Sequence, residues 1–222
     1  MAYRRTENVV RRLAAREQAI LKAAESAAAE GGMGAVQIVP VAQRAGIAAG
    51  TVYRYFPSKT ELVAELIADA SERELTAIRA AADAAPGPLS ALAAAITTLA
   101  ARALRNRRFA FAAMAEPVDA EIDAARLRYR RALTDELRDR IEGAMAGGHL
   151  PEQDAAIAAA AVLGALVEGL IGPLAADVSE DPAKARAAVQ GLTLLVLRGL
   201  GVVDARARGL VVQTALPAEG DA

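Results

Sequence analysis

The side chains able to do chemistry are few in this chain, and they crowd into one stretch. AQRAGIAAGTVYRYFPSKTEL, residues 42–62, holds Tyr53, Tyr55 and Phe56, three of only seven Phe and Tyr residues in 222, together with Arg44, Thr51, Arg54 and Lys59. Cationic, hydroxyl and amphipathic aromatic groups at this density suit the binding of a polar, anionic surface rather than covalent catalysis. Nothing elsewhere supplies a reaction centre. The chain has no Cys, which excludes disulfides, thiolate metal sites and a cysteine nucleophile, and its one His, in the Gly-Gly-His149-Leu-Pro turn, leaves little for a metal. Residues 60–200 carry no Gly-rich phosphate loop. No enzyme activity, cofactor or metal is expected, and His149 reads as a surface loop residue.

Charge sharpens this picture. Residues 1–60 hold nine Arg or Lys against four Glu, a net +5, while the remainder carries −6. A small basic segment for a polyanion, joined to a larger part that does not meet it, is the natural reading. Hydrophobic residues make up 54% but aromatic ones only 3%, and alanine accounts for much of the difference, so the composition is that of an all-α protein. The longest run free of charged and strongly polar residues, Ala155–Val167, is shorter than the roughly 20 residues that cross a bilayer. The charged amino terminus does not resemble a secretory leader. A cytoplasmic protein that does not enter a membrane is expected.

The elements that must position the cluster follow from periodicity. Apolar residues at 10, 13, 14, 20, 21, 24, 27 and 28 predict a helix that ends at Gly31 and Gly32. Short helices follow around Pro40 and from Ala49 to Tyr55, separated by Gly46. Ser58-Lys-Thr-Glu61 is a capping box that opens a long helix reaching about Ala84: the Ser58 hydroxyl would take the N–H of Glu61, whose carboxylate would reach back to the N–H of Ser58. Further helices are predicted at about 89–105, within NRRFAFAAMAEP, and at 119–145, 152–171 and 181–200. Residues 204–222 read as a tail.

Ala42, Gly46 and Val52 stand at positions 5, 9 and 15 of a twenty-residue unit starting at Ile38. A helix-turn-helix needs a small residue where its helices nearly touch, a glycine where its turn takes positive φ, and an apolar residue packed between the helices. The phrase VAQRAGIAAGTVYRYFPSKTEL resembles the amino-terminal domain of the tetracycline-repressor-like (TetR/AcrR) regulators, closely over about 25 residues and in outline over residues 10–60. The resemblance implies a three-helix DNA-binding domain at 1–60, then a larger helical ligand-binding and dimerisation domain at 61–203.

By position, the resemblance makes 49–55 the recognition helix. Thr51 and Arg54 would face base edges, Tyr53 and Tyr55 would reach phosphates or sugars, and Lys59 would contact a phosphate. Gln37 and Arg44 complete the candidate DNA-binding set. Phe56 would plug the core of the small domain. Two departures stand out: Ala48 lacks the usual hydroxyl cap of the recognition helix, and Val36-Gln37-Ile38-Val39-Pro40 replaces a threonine-capped start, where the Gln37 amide could substitute.

For the larger domain the resemblance implies a homodimer through the helices at about 152–171 and 181–200, and a small-molecule effector. Ile122, Tyr129, Leu133, Leu137 and Ile141 form an apolar stripe that also carries Arg126. A charge on such a stripe is either paired or faces a cavity. Glu168 raises the same alternative, and Phe109, Phe111 and Met114 could line a cavity or simply fill core. An anionic amphiphile would meet Arg126; a cationic molecule would meet Glu168. The implied function is a ligand-responsive repressor on a palindromic double-stranded DNA operator, with a non-specific DNA scaffold or a helical small-molecule carrier as alternatives.

Overall fold

The computed structural model describes residues 2–176 and 181–216, with side chains from residue 9 onward. Among them lie ten α-helices and no strand. α1 (Ala2–Gly31), α2 (Ile38–Arg44) and α3 (Ala49–Tyr55) form the amino-terminal helix-turn-helix domain, with a 3₁₀ turn at Met33–Ala35 between the first two. α4 (Lys59–Asp83) leads away from it into a bundle made with α5 (Pro88–Arg105), α6 (Arg107–Met114), α7 (Ala120–Ala146), α8 (Ala155–Leu166), α9 (Pro182–Gly199) and α10 (Asp204–Gln213).

Local chemistry sets the starts of these helices. The Ser58 hydroxyl accepts the N–H of Glu61 at 3.1 Å, as the capping box requires. The reciprocal half differs from expectation: the Glu61 carboxylate accepts from the Ser58 hydroxyl at 3.3 Å instead of bonding the Ser58 N–H. Ser58→Ala is expected to lower stability by about 1 kcal/mol, read as a drop of roughly 2–4 °C in Tm for a chain of this size.

Asp154 caps α8 through the N–H groups of Ala156 and Ile157, so that helix begins three residues later than periodicity predicts. Asp181 caps α9 in the same way, with Pro182 at its first position. The last turn of α8 widens into a π turn at Val167–Ile171. One helix was not anticipated: residues 204–213, read as tail, form α10, which buries Ala207 and Leu210 against α9 and α5. Its sequence, DARARGLVVQ, has no continuous apolar stripe; only the neighbours already in place make its two buried residues decisive.

α5 lies at the centre, with every residue from Ala91 to Ala100 buried, packed between α4, α7 and α9. The predicted α7 stripe is buried along its whole length. The α1 stripe is buried only from Ile20 onward. Val10 and Leu13 are exposed, since the first turns of that helix run clear of the bundle. α6 packs directly on α1, which joins the two ends of the chain's organisation.

Candidate nucleic-acid interface and ligand cavity

The turn between α2 and α3 is built as the spacing demands. Gly46 takes φ +66°, the left-handed conformation that glycine enters without Cβ strain, and its N–H donates to the Gln43 carbonyl while Ile47 donates to Ala42. Ala42 and Val52 are buried between the helices, and Phe56 is buried beneath them. With Val52 and Phe56 turned inward, α3 presents Tyr53 and Arg54 to solvent and leaves Thr51 half-buried beside them. Tyr55 is half-buried, its ring centroid 6.5 Å from that of Phe56, so it braces the end of the short helix. Lys59 opens α4 next to the Ser58 cap.

Gln37 and Arg44 have intramolecular tasks. The Gln37 amide donates to the Gly34 carbonyl at 2.9 Å, and neither Gln37 nor Ala48 provides a side-chain cap. Arg44 grips the Glu30 carboxylate with both terminal nitrogens, at 2.6 and 2.7 Å, tying α2 to the end of α1. That bidentate hydrogen bond first, and the Arg44 charge after it, hold the Glu30 carboxyl below its usual range.

In the larger domain a cavity of about 120 Å³ lies between α1, α4, α5, α6 and α7. Phe109, Met114 and Tyr129 line it, together with Leu99. Phe111, Arg126 and Glu168 do not line it. Phe111 sits on another face of α6, in an open groove beside Pro117 and Gly172. Arg126 is buried but donates to the Glu116 carbonyl and pairs with Asp123 at 3.3 Å, so it resolves the alternative in favour of pairing. Glu168 is exposed on the π turn, its carboxylate lying near Gly172.

The polar half of the cavity was not visible from sequence. Arg102 of α5 holds Glu74 of α4 through two hydrogen bonds at 2.9 and 3.0 Å. Arg73 of α4 bridges Glu25 of α1 at 2.7 Å and Asp69 at 3.0 Å, and Asn106 donates to Glu25 at 3.4 Å. Glu25 lies beside the buried positions 24 and 28 of α1, and Asp69–Arg73 is an i,i+4 pair. Those were the available signals. Burial, and after it the nearby Glu74 carboxylate, push the Tyr129 hydroxyl far above the ordinary phenol range, so it stays protonated.

A second contact joins the domains. The Glu116 carboxylate, on the α6–α7 connection, accepts the Met33 N–H at 3.0 Å and pairs with Arg108 at 2.9 Å. Partial burial opposes the charge on Glu116, but the hydrogen bonds from Arg108 and the Met33 N–H outweigh it and hold the carboxyl below its usual range.

Comparison with known proteins matches residues 20–66 to the model of bacterial regulatory proteins of the tetR family. Residues 20–66 thus carry a tetR-type amino-terminal domain. The transcriptional repressor KstR of Rhodococcus jostii is 48% identical over 58 residues, which cover 26% of this chain and 27% of that protein. KstR of Mycobacterium tuberculosis is 44% identical over 68 residues, 31% of this chain and 29% of that protein. The matched segment thus spans little more than a quarter of these curated relatives, and the likeness is confined to the helix-turn-helix end. Over most of the chain the fold is shared with solved structures. RolR in complex with resorcinol superposes with a TM-score of 0.65 at 22% identity, over 94% of this chain and 98% of that one. FadR from Bacillus subtilis in complex with stearoyl-CoA gives 0.71 at 18% identity, over 82% of this chain and 98% of that one. Among the described residues, no helix is long and apolar enough to cross a membrane.

Proposed function

We propose that this chain is a sequence-specific transcriptional regulator of the tetR family, a dimeric repressor that a small molecule releases from a palindromic operator. The observation that carries the reading is the side-chain sorting on α3: Val52 and, just past the helix end, Phe56 are buried, while Arg54 and Tyr53 are exposed and Thr51 lies between. Such a helix offers a guanidinium that can bridge O6 and N7 of a guanine. Tyr53, Tyr55 and Lys59 are assigned to phosphate and sugar contacts, which fix register without reading sequence. Gln37 and Arg44 hold α2 in place through Gly34 and Glu30, and each keeps further N–H donors for a phosphate.

Residues 1–60 are assigned to DNA binding and 61–203 to effector binding and dimerisation. Dimerisation through α8 and α9 is supported by Ile157 and Leu195, which are 69% and 63% exposed on them, next to small residues that permit close approach. Pairing these helices makes a four-helix bundle that holds two recognition helices for adjacent major grooves. KstR, similar over the reading domain, is named as a repressor, and RolR and FadR, similar in fold, are described with bound resorcinol and stearoyl-CoA. A ligand that prefers the DNA-incompetent state weakens operator binding by the factor that DNA weakens ligand binding. The site of action is the cytoplasm, and the role is regulatory, not catalytic.

The test is selection of bound duplexes from a random pool by the full-length protein. A palindromic winner with two half-sites about one helical turn apart is expected. A pool enriched without a shared motif, bound with steep salt dependence, would instead establish a non-specific scaffold.

A further inference from the structure

We infer that the cavity between α1, α4, α5, α6 and α7 takes an uncharged, single-ring phenol-type molecule as the effector of this protein, an assignment that rests on the regulator reading above. Size comes first. The cavity measures about 120 Å³, and an apolar cavity of about 150 Å³ holds one benzene. The space is therefore on the scale of a single six-membered ring, and a fused second ring would have to extend into the open mouth of the cavity. The apolar walls, Leu99, Phe109, Met114 and the ring of Tyr129, suit an aromatic guest, because soft sulfur and aromatic edges meet a ring face favourably.

Charge decides the rest. The lining charges are all engaged: Glu74 pairs with Arg102 and Glu25 with Arg73, and Arg105, on the same lining, is not free either. An anionic guest must compete with Glu74 or Glu25 for its arginine, and a cationic guest must compete with an arginine for its carboxylate. At the Arg102–Glu74 pair, whose side chains are only 9% and 20% exposed, such an exchange strands a charge of this chain, and an uncompensated buried charge is unfavourable. A neutral hydroxyl meets no such obstacle. Each carboxylate retains lone pairs beyond those its arginine occupies, so a phenolic O–H can donate to Glu74 or Glu25 and leave the ion pair intact. The Tyr129 side chain, its hydroxyl held protonated by burial, lines the same cavity. Glu25 belongs to α1, so a hydroxyl bound there touches the domain that carries the recognition helix.

The experiment titrates the full-length protein by calorimetry with phenol, benzoate, benzylammonium and 2-naphthol. Phenol is expected to bind once per chain, and the other three at least ten-fold more weakly. Ala103→Leu, which fills the cavity, should abolish phenol binding. Met114→Ala, which enlarges it, should tighten 2-naphthol by at least ten-fold. Benzoate or benzylammonium binding as tightly as phenol would overturn the charge argument, and 2-naphthol matching phenol on the unaltered protein would overturn the size argument. Phenol failing to bind, or binding Ala103→Leu undiminished, would overturn the site. The same samples are then titrated with the selected duplex. Phenol binding that leaves duplex affinity unchanged keeps the cavity chemistry and counts against the regulator reading instead.

Discussion

Arg54→Ala is expected to erase the distinction between the selected operator and an unrelated duplex while leaving the fold intact. A bidentate guanidinium–guanine contact is worth about 1–3 kcal/mol of discrimination. A palindrome uses the residue twice, so the dimer stands to lose about 2–6 kcal/mol, or roughly 30-fold to more than 10⁴-fold in affinity for the operator. Arg54 is exposed at the outer face of α3 and supports no core contact, so the Tm should move little. Lys59→Ala provides the contrast. A phosphate contact positions without specifying, so its loss should weaken all duplexes alike and reduce the salt slope by about one unit per contact. Titration of both variants against operator and scrambled duplex at fixed salt checks the claim. If Arg54→Ala and Lys59→Ala weaken operator and scrambled duplex in the same proportion, α3 does not read bases.

The second large effect is predicted at Gly32. Its backbone holds φ +74°, and a Cβ placed there would collide with the Arg108 guanidinium and the Glu116 carboxylate. Left-handed backbone costs an alanine about 1–2 kcal/mol. Displacing Glu116 also strands the Met33 N–H, buried at the domain junction, for about 1–3 kcal/mol more. Gly32→Ala should therefore destabilise by about 2–5 kcal/mol, a fall in Tm of roughly 4–20 °C for a chain of this length. Gly34→Ala, two residues on, meets nothing within 4 Å and should stay within about 0.5 kcal/mol of the unaltered protein. Thermal melts of the two variants side by side decide the point; equal melting temperatures would mean that the Glu116 contact does not hold the junction. Because Glu116 has a lowered carboxyl pKa in the fold, its contribution is present above the ordinary glutamate range and is lost as pH falls through the folded value. The difference between Gly32→Ala and the unaltered protein should accordingly shrink in acid.

Much of the reading end was legible beforehand because its constraints are local. Gly46 follows from a turn geometry, Val52 and Ala42 from helix–helix contact at fixed offsets, and Ser58 from a four-residue cap. Each requirement is satisfied within twenty residues, so spacing alone exposes it. The cavity was half legible. Phe109, Met114 and Tyr129 were visible as soft or aromatic groups in an alanine-rich background. Phe111 and Arg126 looked equivalent to them because helical periodicity gives the face of a residue without saying which neighbour covers it.

What the sequence by itself determined is the succession of helices, the helix-turn-helix and its outward Arg54, since these depend on propensity, capping and short-range spacing. The tertiary structure decided which charges meet. Glu25 and Arg73 are 48 residues apart, Arg102 and Glu74 are 28 apart, and Met33 and Glu116 are 83 apart. No local rule brings them together; they meet because α4 and α6 pack on α1 and α5 packs on α4. The same packing turned Arg126 toward a carbonyl instead of a cavity, and made a helix of residues 204–213, whose own pattern is too weak to fold without the surface it lies on.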